Sequence, residues 1–136
     1  MKYELRVVSV ERSLFEGEVE FLVATGADGE FGVLARHAPL MTILKPGALR
    51  IQATLGGPEE VLFVGGGFME VLPERVTVLA DVAEHADEIS IEKAEAARRR
   101  AQERLAGTLT TSEEIEFQNE LATAEARLRL ARARRG

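Results

Sequence analysis

All four prolines and ten of the twelve glycines fall before residue 74. Residues that turn or break the backbone are therefore confined to one part of the chain, and the remainder must be built on a different plan. From residue 85 onward Ala, Glu and Arg dominate and proline is absent, a mixture of strong helix formers. Charge divides at the same place. Residues 1–84 carry seven Lys/Arg against thirteen Asp/Glu, a net of −6, whereas residues 85–136 carry ten of each. A boundary near 84–90 follows, with one domain over residues 1–86 and a second over residues 87–136.

Within the first part, apolar runs of strand length recur at Tyr3–Val10, Val19–Ala24, Phe31–Leu34, Leu40–Leu44, Leu49–Leu55, Val61–Val64, Phe68–Leu72 and Val76–Ala80. Between them stand turn formers: Glu16-Gly17, Gly26-Ala27-Asp28-Gly29, Lys45-Pro46-Gly47, Gly56-Gly57-Pro58 and Leu72-Pro73-Glu74. Gaps this short leave no room for crossover helices, so the strands are expected to pair antiparallel. An open single sheet would leave an apolar face wet, which predicts a sandwich or flattened barrel.

The second part predicts an antiparallel two-helix hairpin. Ser90 caps a first helix reaching about Ala106, and Gly107 is placed for a left-handed C-terminal cap. Thr110–Glu113 and Thr111–Glu114 are overlapping capping-box spacings for a second helix running to about Arg135. Phe117, Leu121, Ala124, Leu128 and Ala131 repeat at the spacing of a seam against a partner helix. The facing seam is Ala94, Ala97, Ala101 and Leu105. Alanine allows close approach but removes little apolar area, so the hairpin is expected to be weakly held.

Several chemistries are excluded by inventory. With no cysteine there are no disulfides, thiolate metal sites or cysteine nucleophiles. Net charge −6, no Trp and 5% aromatics oppose a general nucleic-acid binder. His37 and His85 are the only imidazoles, too few for a histidine-rich metal site, and no metal is expected. Gly65-Gly66-Gly67 lacks the following Lys-Ser/Thr of a phosphate loop and reads as a bulge or close backbone packing. Gly26, Gly29 and Gly32 lack the strand-to-helix context of a dinucleotide fingerprint and read as a surface loop. No serine lies in a nucleophile elbow. Binding or regulation is thus favoured over catalysis. The start MKYELRVV lacks the tripartite order of a secretory signal, so a mature cytosolic chain is expected to begin there.

The chain ends in a concentration of cations: Arg127, Arg129, Arg132, Arg134 and Arg135, with no acid from residue 127 onward. Helix-dipole complementation accounts for some of them. On a wheel of about 100° per residue Arg127 and Arg132 flank the apolar seam while Arg129 and Arg134 lie away from it. Leu130 also points off the seam and is expected to be exposed. A cationic tip of this kind suits insertion among acidic protein surfaces better than a one-sided membrane helix.

Two segments are specific enough to name a family: GEFGVLARHAPLMTILKPGALRI over Gly29–Ile51 and GGGFMEVLPERVTVLAD over Gly65–Asp81. With the Ala/Glu/Arg hairpin behind them, the chain resembles the epsilon subunits of bacterial F-type ATP synthase, equivalent to chloroplast epsilon and mitochondrial delta. The resemblance implies an all-β antiparallel sandwich of about ten strands followed by the helical hairpin. It implies a non-catalytic rotor subunit of the central stalk, peripheral at the cytoplasmic face of the bacterial plasma membrane, with no direct membrane insertion and no nucleic-acid partner. The sandwich would bind the gamma subunit and the c-ring. Glu30, Phe31, Gly32 and His37 match the loop that faces the ring; Glu30 is suited to pair with ring-loop cations, and His37 either makes direct contact or fixes the loop by a hydrogen bond. The hairpin would inhibit ATP hydrolysis by extending along gamma, so that the five arginines meet an acidic segment of a catalytic beta subunit, with alpha also nearby. Some relatives bind ATP through Ile/Leu-Asp-x-x-Arg-Ala. Here the stretch runs from Ile89 and Ser90 to Lys93 and Ala94, both polar key positions differ, and neither tight ATP binding nor any cofactor is expected. The rival readings are a free β-sandwich binding module with a helical oligomerisation tail, and a small enzyme, which would need a deep pocket of convergent acids or bases.

Overall fold

The computed structural model describes residues 1–135. Eight strands, β1 (Tyr3–Ser9), β2 (Ser13–Val19), β3 (Phe21–Gly26), β4 (Gly29–Leu34), β5 (Leu40–Gln52), β6 (Glu59–Val71), β7 (Arg75–Ala80) and β8 (Ala83–His85), are followed by a 3₁₀ turn (Ala86–Glu88) and helices α1 (Ile91–Leu105) and α2 (Thr111–Arg135). Residues 1–85 form one compact unit and the chain from Ala86 onward forms another.

The strands hydrogen-bond in the order β2-β1-β7-β6-β5-β3-β4, with β8 on β6. β5 and β6, 13 residues each, are the key to the architecture. The first half of β5 pairs with the second half of β6, Leu40↔Val71 to Leu44↔Gly67, in the layer that also holds β7, β1 and β2. The second half of β5 pairs with the first half of β6 and with β3 in the opposite layer, beside β4 and β8. Each long strand bends and serves both layers, which is how eight strands supply about ten strand segments.

Glycine makes the bend possible. Gly66 and Gly67 have φ of 102° and 132°, and a Cβ at Gly67 would overlap the Leu79 carbonyl oxygen. At the facing position, Pro46↔Gly65 and Gly47↔Val64 stay in register, so Lys45-Pro46-Gly47 is a bend inside β5 and not the chain-reversing turn that its composition predicts. Glu16-Gly17 is likewise not a turn; both residues lie within β2, which the sequence pattern misses because Glu16, Gly17 and Glu18 interrupt its apolar positions. Gly26–Gly29 closes a two-residue β3–β4 hairpin with Gly32 inside β4, so this segment is paired strand rather than a surface loop. Pairing is antiparallel except between β1 and β7, which run parallel.

Alternation then fills the space between layers. Leu5, Val7, Leu22, Val33, Leu49, Ile51, Leu62 and Met69 are all at most 1% exposed and belong to one cluster. Tyr3, also buried, donates its phenolic O–H to the Val33 carbonyl at 2.7 Å, which satisfies the polar end of the side chain. Burial pushes its ionisation well above the ordinary phenol range.

In the second unit, Ser90 Oγ accepts the Lys93 N–H at 3.2 Å, capping α1. Thr110 and Glu113 form a reciprocal capping box at the start of α2, with Glu113 N–H to Thr110 Oγ1 at 3.2 Å and Thr110 N–H to Glu113 Oε1 at 3.1 Å. Gly107 is not left-handed. The last turn of α1 tightens instead: the Ala106 N–H reaches Gln102 O and Glu103 O, and the Gly107 N–H reaches Arg104 O at 3.2 Å, satisfying the terminal carbonyls without a positive φ. Ala94 and Ala101 are buried on α1, as are Ala124, Leu128 and Ala131 on α2. At the loop end, Arg104 stacks over Phe117 at 5.2 Å and reaches Glu120 at 3.8 Å.

Candidate functional site

Strand β4 splits the four residues expected at the ring-facing loop. Its inward positions are Phe31, which packs against the core cluster, and Val33. Its outward positions are Glu30, Gly32 and Leu34. Glu30 sits beside the hairpin tip, opposite Thr25, and its Oε2 accepts from Arg50 Nη1 at 3.0 Å on an exposed surface. Gly32 has a packing reason: a Cβ there would lie 2.7 Å from the Phe21 ring. His37 lies past the other end of β4. Leu34 is four residues from Glu30 along an extended strand, about 13 Å at the usual rise, so Glu30 and His37 do not form one cluster. The His37 Nδ1–H donates to the Ala38 carbonyl at 2.7 Å, and the preceding Arg36, at φ 64°, donates its N–H to Pro73 O at 2.9 Å. These contacts fix the loop between β4 and β5.

The outer face of the β1–β7–β6–β5 layer carries a feature that the runs of sequence do not reveal. Ile43, Phe68 and Leu79 are cross-strand neighbours in one row, exposed by 63%, 51% and 53%, and Val8 continues the row on β1. Val10 and Val82, also exposed, follow their strands toward the same end of the sandwich as the β3–β4 hairpin tip. Large apolar side chains adjacent in a row are uncommon on a solvated sheet face and mark a contact surface. The alternation of each strand was legible; the register that aligns them was not.

At the opposite end, an open depression of about 480 Å³ is lined by Glu4, Leu72, Pro73, Glu74 and Arg75. Glu4 and Glu18 face each other across β1 and β2, with Arg75 beside Glu4. These are charged strand ends around a shallow surface. Glu20, nearby in the chain, accepts the Leu55 N–H at 2.9 Å; that hydrogen bond, aided by the amino terminus 3.4 Å away and opposed by desolvation, holds its carboxyl below the usual range.

The arginine-rich end of α2 is exposed but not bare. Arg132 Nη2 donates to Glu95 Oε1 at 2.7 Å. Arg134 grips Asp87 through Nε and Nη2 at 3.1–3.2 Å, and Arg135 Nη2 donates to the Asp87 backbone carbonyl at 2.8 Å. Arg127 also has a partner. Arg129 is exposed and makes no ion pair among the described residues. Leu130, expected to be exposed, is 9% exposed. With Ala126 it forms a second buried stripe on α2, nearly opposite Ala124, Leu128 and Ala131, so lying off the hairpin seam does not place a residue in solvent here.

In the Ile89-to-Ala94 stretch, Ile89 and Ala94 are buried, Ser90 Oγ is occupied as the helix cap, and Lys93 is exposed. The cap that a motif aspartate would provide is therefore made, without a carboxylate. No group of three or more potential metal ligands occurs among the described residues, and no helix among them is long and apolar enough to cross a membrane.

Comparisons with known proteins agree across both units. The family model "ATP synthase, Delta/Epsilon chain, beta-sandwich domain" matches residues 2–86, and "ATP synthase, Delta/Epsilon chain, long alpha-helix domain" matches residues 87–132. The ATP synthase epsilon chain of Psychrobacter sp. (strain PRwf-1) is 44% identical over 129 residues, covering 95% of this chain and 93% of that one. That of Acidithiobacillus ferridurans is 47% identical over 129 residues, with 95% and 90% covered. Among solved structures, a chain in the Euglena gracilis mitochondrial ATP synthase (OSCP/F1/c-ring) superposes with TM-score 0.76 at 24% identity, covering 92% of this chain and 78% of that one. A chain of the Tetrahymena thermophila mitochondrial ATP synthase central stalk and c-ring gives 0.70 at 11% identity, covering 96% and 97%; at these identities both superpositions establish the fold. Sandwich, hairpin and near full-length identity converge: the chain belongs to the delta/epsilon family of ATP synthase, as an epsilon-type, non-catalytic subunit of that complex.

Proposed function

We propose that this subunit is a rotor coupling element of a proton-translocating F-type ATP synthase, fastening the gamma subunit to the c-ring and restraining ATP hydrolysis through its C-terminal helices. The row Val8–Leu79–Phe68–Ile43 carries the reading: it is the apolar face that gamma covers. Running toward the same end as the β3–β4 hairpin, this face lets one subunit hold gamma along its side while the hairpin tip meets the ring. Glu30 is the ring-facing carboxylate, shared with Arg50 until a ring-loop cation competes for it. Phe31 and Gly32 support it, Phe31 by anchoring β4 to the core and Gly32 by admitting the Phe21 ring. His37 organises the following loop.

The regulatory step is a shift in population. When the hairpin extends along gamma, Arg127, Arg129, Arg132, Arg134 and Arg135 meet carboxylates of a beta subunit in the catalytic head, with alpha alongside, and gamma is held at one angle. Rotation is blocked while the catalytic groups of the head are untouched. The subunit needs no cofactor for this. It works peripherally, at the cytoplasmic face of the bacterial plasma membrane.

Phe68→Glu tests the assembly reading directly. The side chain is exposed, so the folded subunit retains its stability, while affinity for gamma is expected to fall by about 30-fold or more because a charge enters the middle of an apolar contact. Unchanged gamma affinity, measured by titration of the two purified subunits, refutes the proposed face. A full-length chain that self-associates through its helices and ignores gamma would instead be a free binding module.

A further inference from the structure

Three of the five arginines proposed to act in inhibition are already engaged when the hairpin is folded. Arg134 holds the Asp87 carboxylate with Nε and Nη2, Arg135 holds the carbonyl of the same residue, and Arg132 holds Glu95. Asp87 lies three residues before the Ser90 cap and Glu95 five residues after it, so the last turns of α2 are tied on both sides of the start of α1. The seam between the helices is mainly alanine and supplies little adhesion of its own. A guanidinium fork committed to Asp87 cannot present the same edge to a second carboxylate. Folding of the hairpin and docking of its tip on an acidic surface therefore exclude each other at the level of individual hydrogen bonds.

We propose that Asp87 and Glu95 form an internal ionic latch that occupies Arg132, Arg134 and Arg135 in the folded hairpin and competes with the acidic partner for them. The proposal rests on the inhibitory reading above and adds to it what holds the resting state closed. Arg129, exposed and outside the latch, remains available as a first point of contact. Because the paired side chains are 34–73% exposed, each pair contributes modestly and is screened by salt, so the latch biases an equilibrium without locking it.

The test uses the full chain and the reconstituted complex. D87N/E95Q is expected to speed amide exchange in the last turns of α2 by roughly two- to thirty-fold, the range for losing two partly exposed pairs, with tyrosine fluorescence of the sandwich unchanged. In the complex the same variant is expected to inhibit ATP hydrolysis more strongly. Glu95 lies beyond the first turn of α1, so E95Q alone changes the pair with little effect on the helix dipole and is expected to give part of the same increase. R129Q should weaken inhibition and leave exchange as it is; R132Q/R134Q should speed exchange and weaken inhibition together. Unchanged exchange in both D87N/E95Q and E95Q, or weaker inhibition by D87N/E95Q, overturns the latch. If the arginine variants leave inhibition unaltered, the inhibitory reading fails, and the exchange data still decide whether the latch exists.

Discussion

The sandwich and the hairpin are held by different means, and the contrast suits them to the roles proposed for them, an anchor and a movable part. In the sandwich, Leu5, Leu22, Leu49, Ile51, Leu62 and Met69 are essentially inaccessible, each worth about 1.5–3 kcal/mol of burial. Along the hairpin seam the most deeply buried positions are Ala94, Ala101, Ala124 and Ala131 with one leucine, Leu128, and exposed ion pairs add what the methyl groups lack. A layered core unfolds as a whole. A seam of alanines and surface charges opens at modest cost, which suits a segment proposed to exchange partners.

Glycine substitutions give the sharpest way to break this comparison. Gly67→Ala forces a side chain into a φ of 132° against the Leu79 carbonyl at the corner of β6, and is expected to cost about 3–5 kcal/mol of sandwich stability. Gly107→Ala, where a Cβ meets only the Arg104 carbonyl at an ordinary 3.5 Å, is expected to stay within about 0.5 kcal/mol. Urea titrations separate the two, because the single tyrosine reports the sandwich and far-ultraviolet circular dichroism reports the helices. Equal effects at the two glycines would remove the distinction between corner and loop.

Core truncation comes next in size. Leu62→Ala, at a fully buried site, is expected to lower the tyrosine-monitored stability by about 2–5 kcal/mol, whereas Ala101→Gly in the seam lowers helix stability by about 1 kcal/mol. The smallest effect is at Tyr3. Tyr3→Phe loses the bond to Val33 O and is expected to cost about 1 kcal/mol, followed by circular dichroism since the variant has no tyrosine. The sign with pH is fixed by the raised ionisation of this phenol in the folded state. Its neutral form stabilises the fold fully below the ordinary phenol range and that contribution is lost as pH rises above about 10. The parent should therefore lose stability there more steeply than Tyr3→Phe; parallel curves would show that Tyr3 is not the responsible group.

Legibility in the sequence followed the range of the interactions. The Ser90 cap and the Thr110–Glu113 box are local, and both form as their spacing dictates. Of the two readings of Gly65–Gly67, a bulge or close backbone packing, the second holds: β5 and β6 stay in register there, and a Cβ at Gly67 would overlap the Leu79 carbonyl oxygen. Errors arose where pairing over long range overrode local composition. Lys45-Pro46-Gly47 looks like a turn, yet β6 pairs on both sides of it and keeps the strand continuous. Glu16-Gly17 also looks like a turn, and β1 pairs straight across it. Leu130 was misplaced because the spacing of one seam says nothing about a second buried stripe on the same helix. The candidate site divides in the same way: the five arginines stand out as a block, but Asp87 and Glu95, which partner Arg132, Arg134 and Arg135, lie 37 to 48 residues away and have no local mark.

By itself, the order of residues determined the division of the chain, the strand and helix content of its two parts, the caps and the cationic end, because propensity, alternation and capping act over a few neighbouring residues. Only the tertiary structure decided that Ile43, Phe68 and Leu79 stand in one exposed row, that β5 and β6 each run through both layers, and that the terminal arginines are already paired. Those facts depend on strand register and on contacts between segments distant in the chain. They are settled when the whole core closes, and no short stretch of sequence contains them.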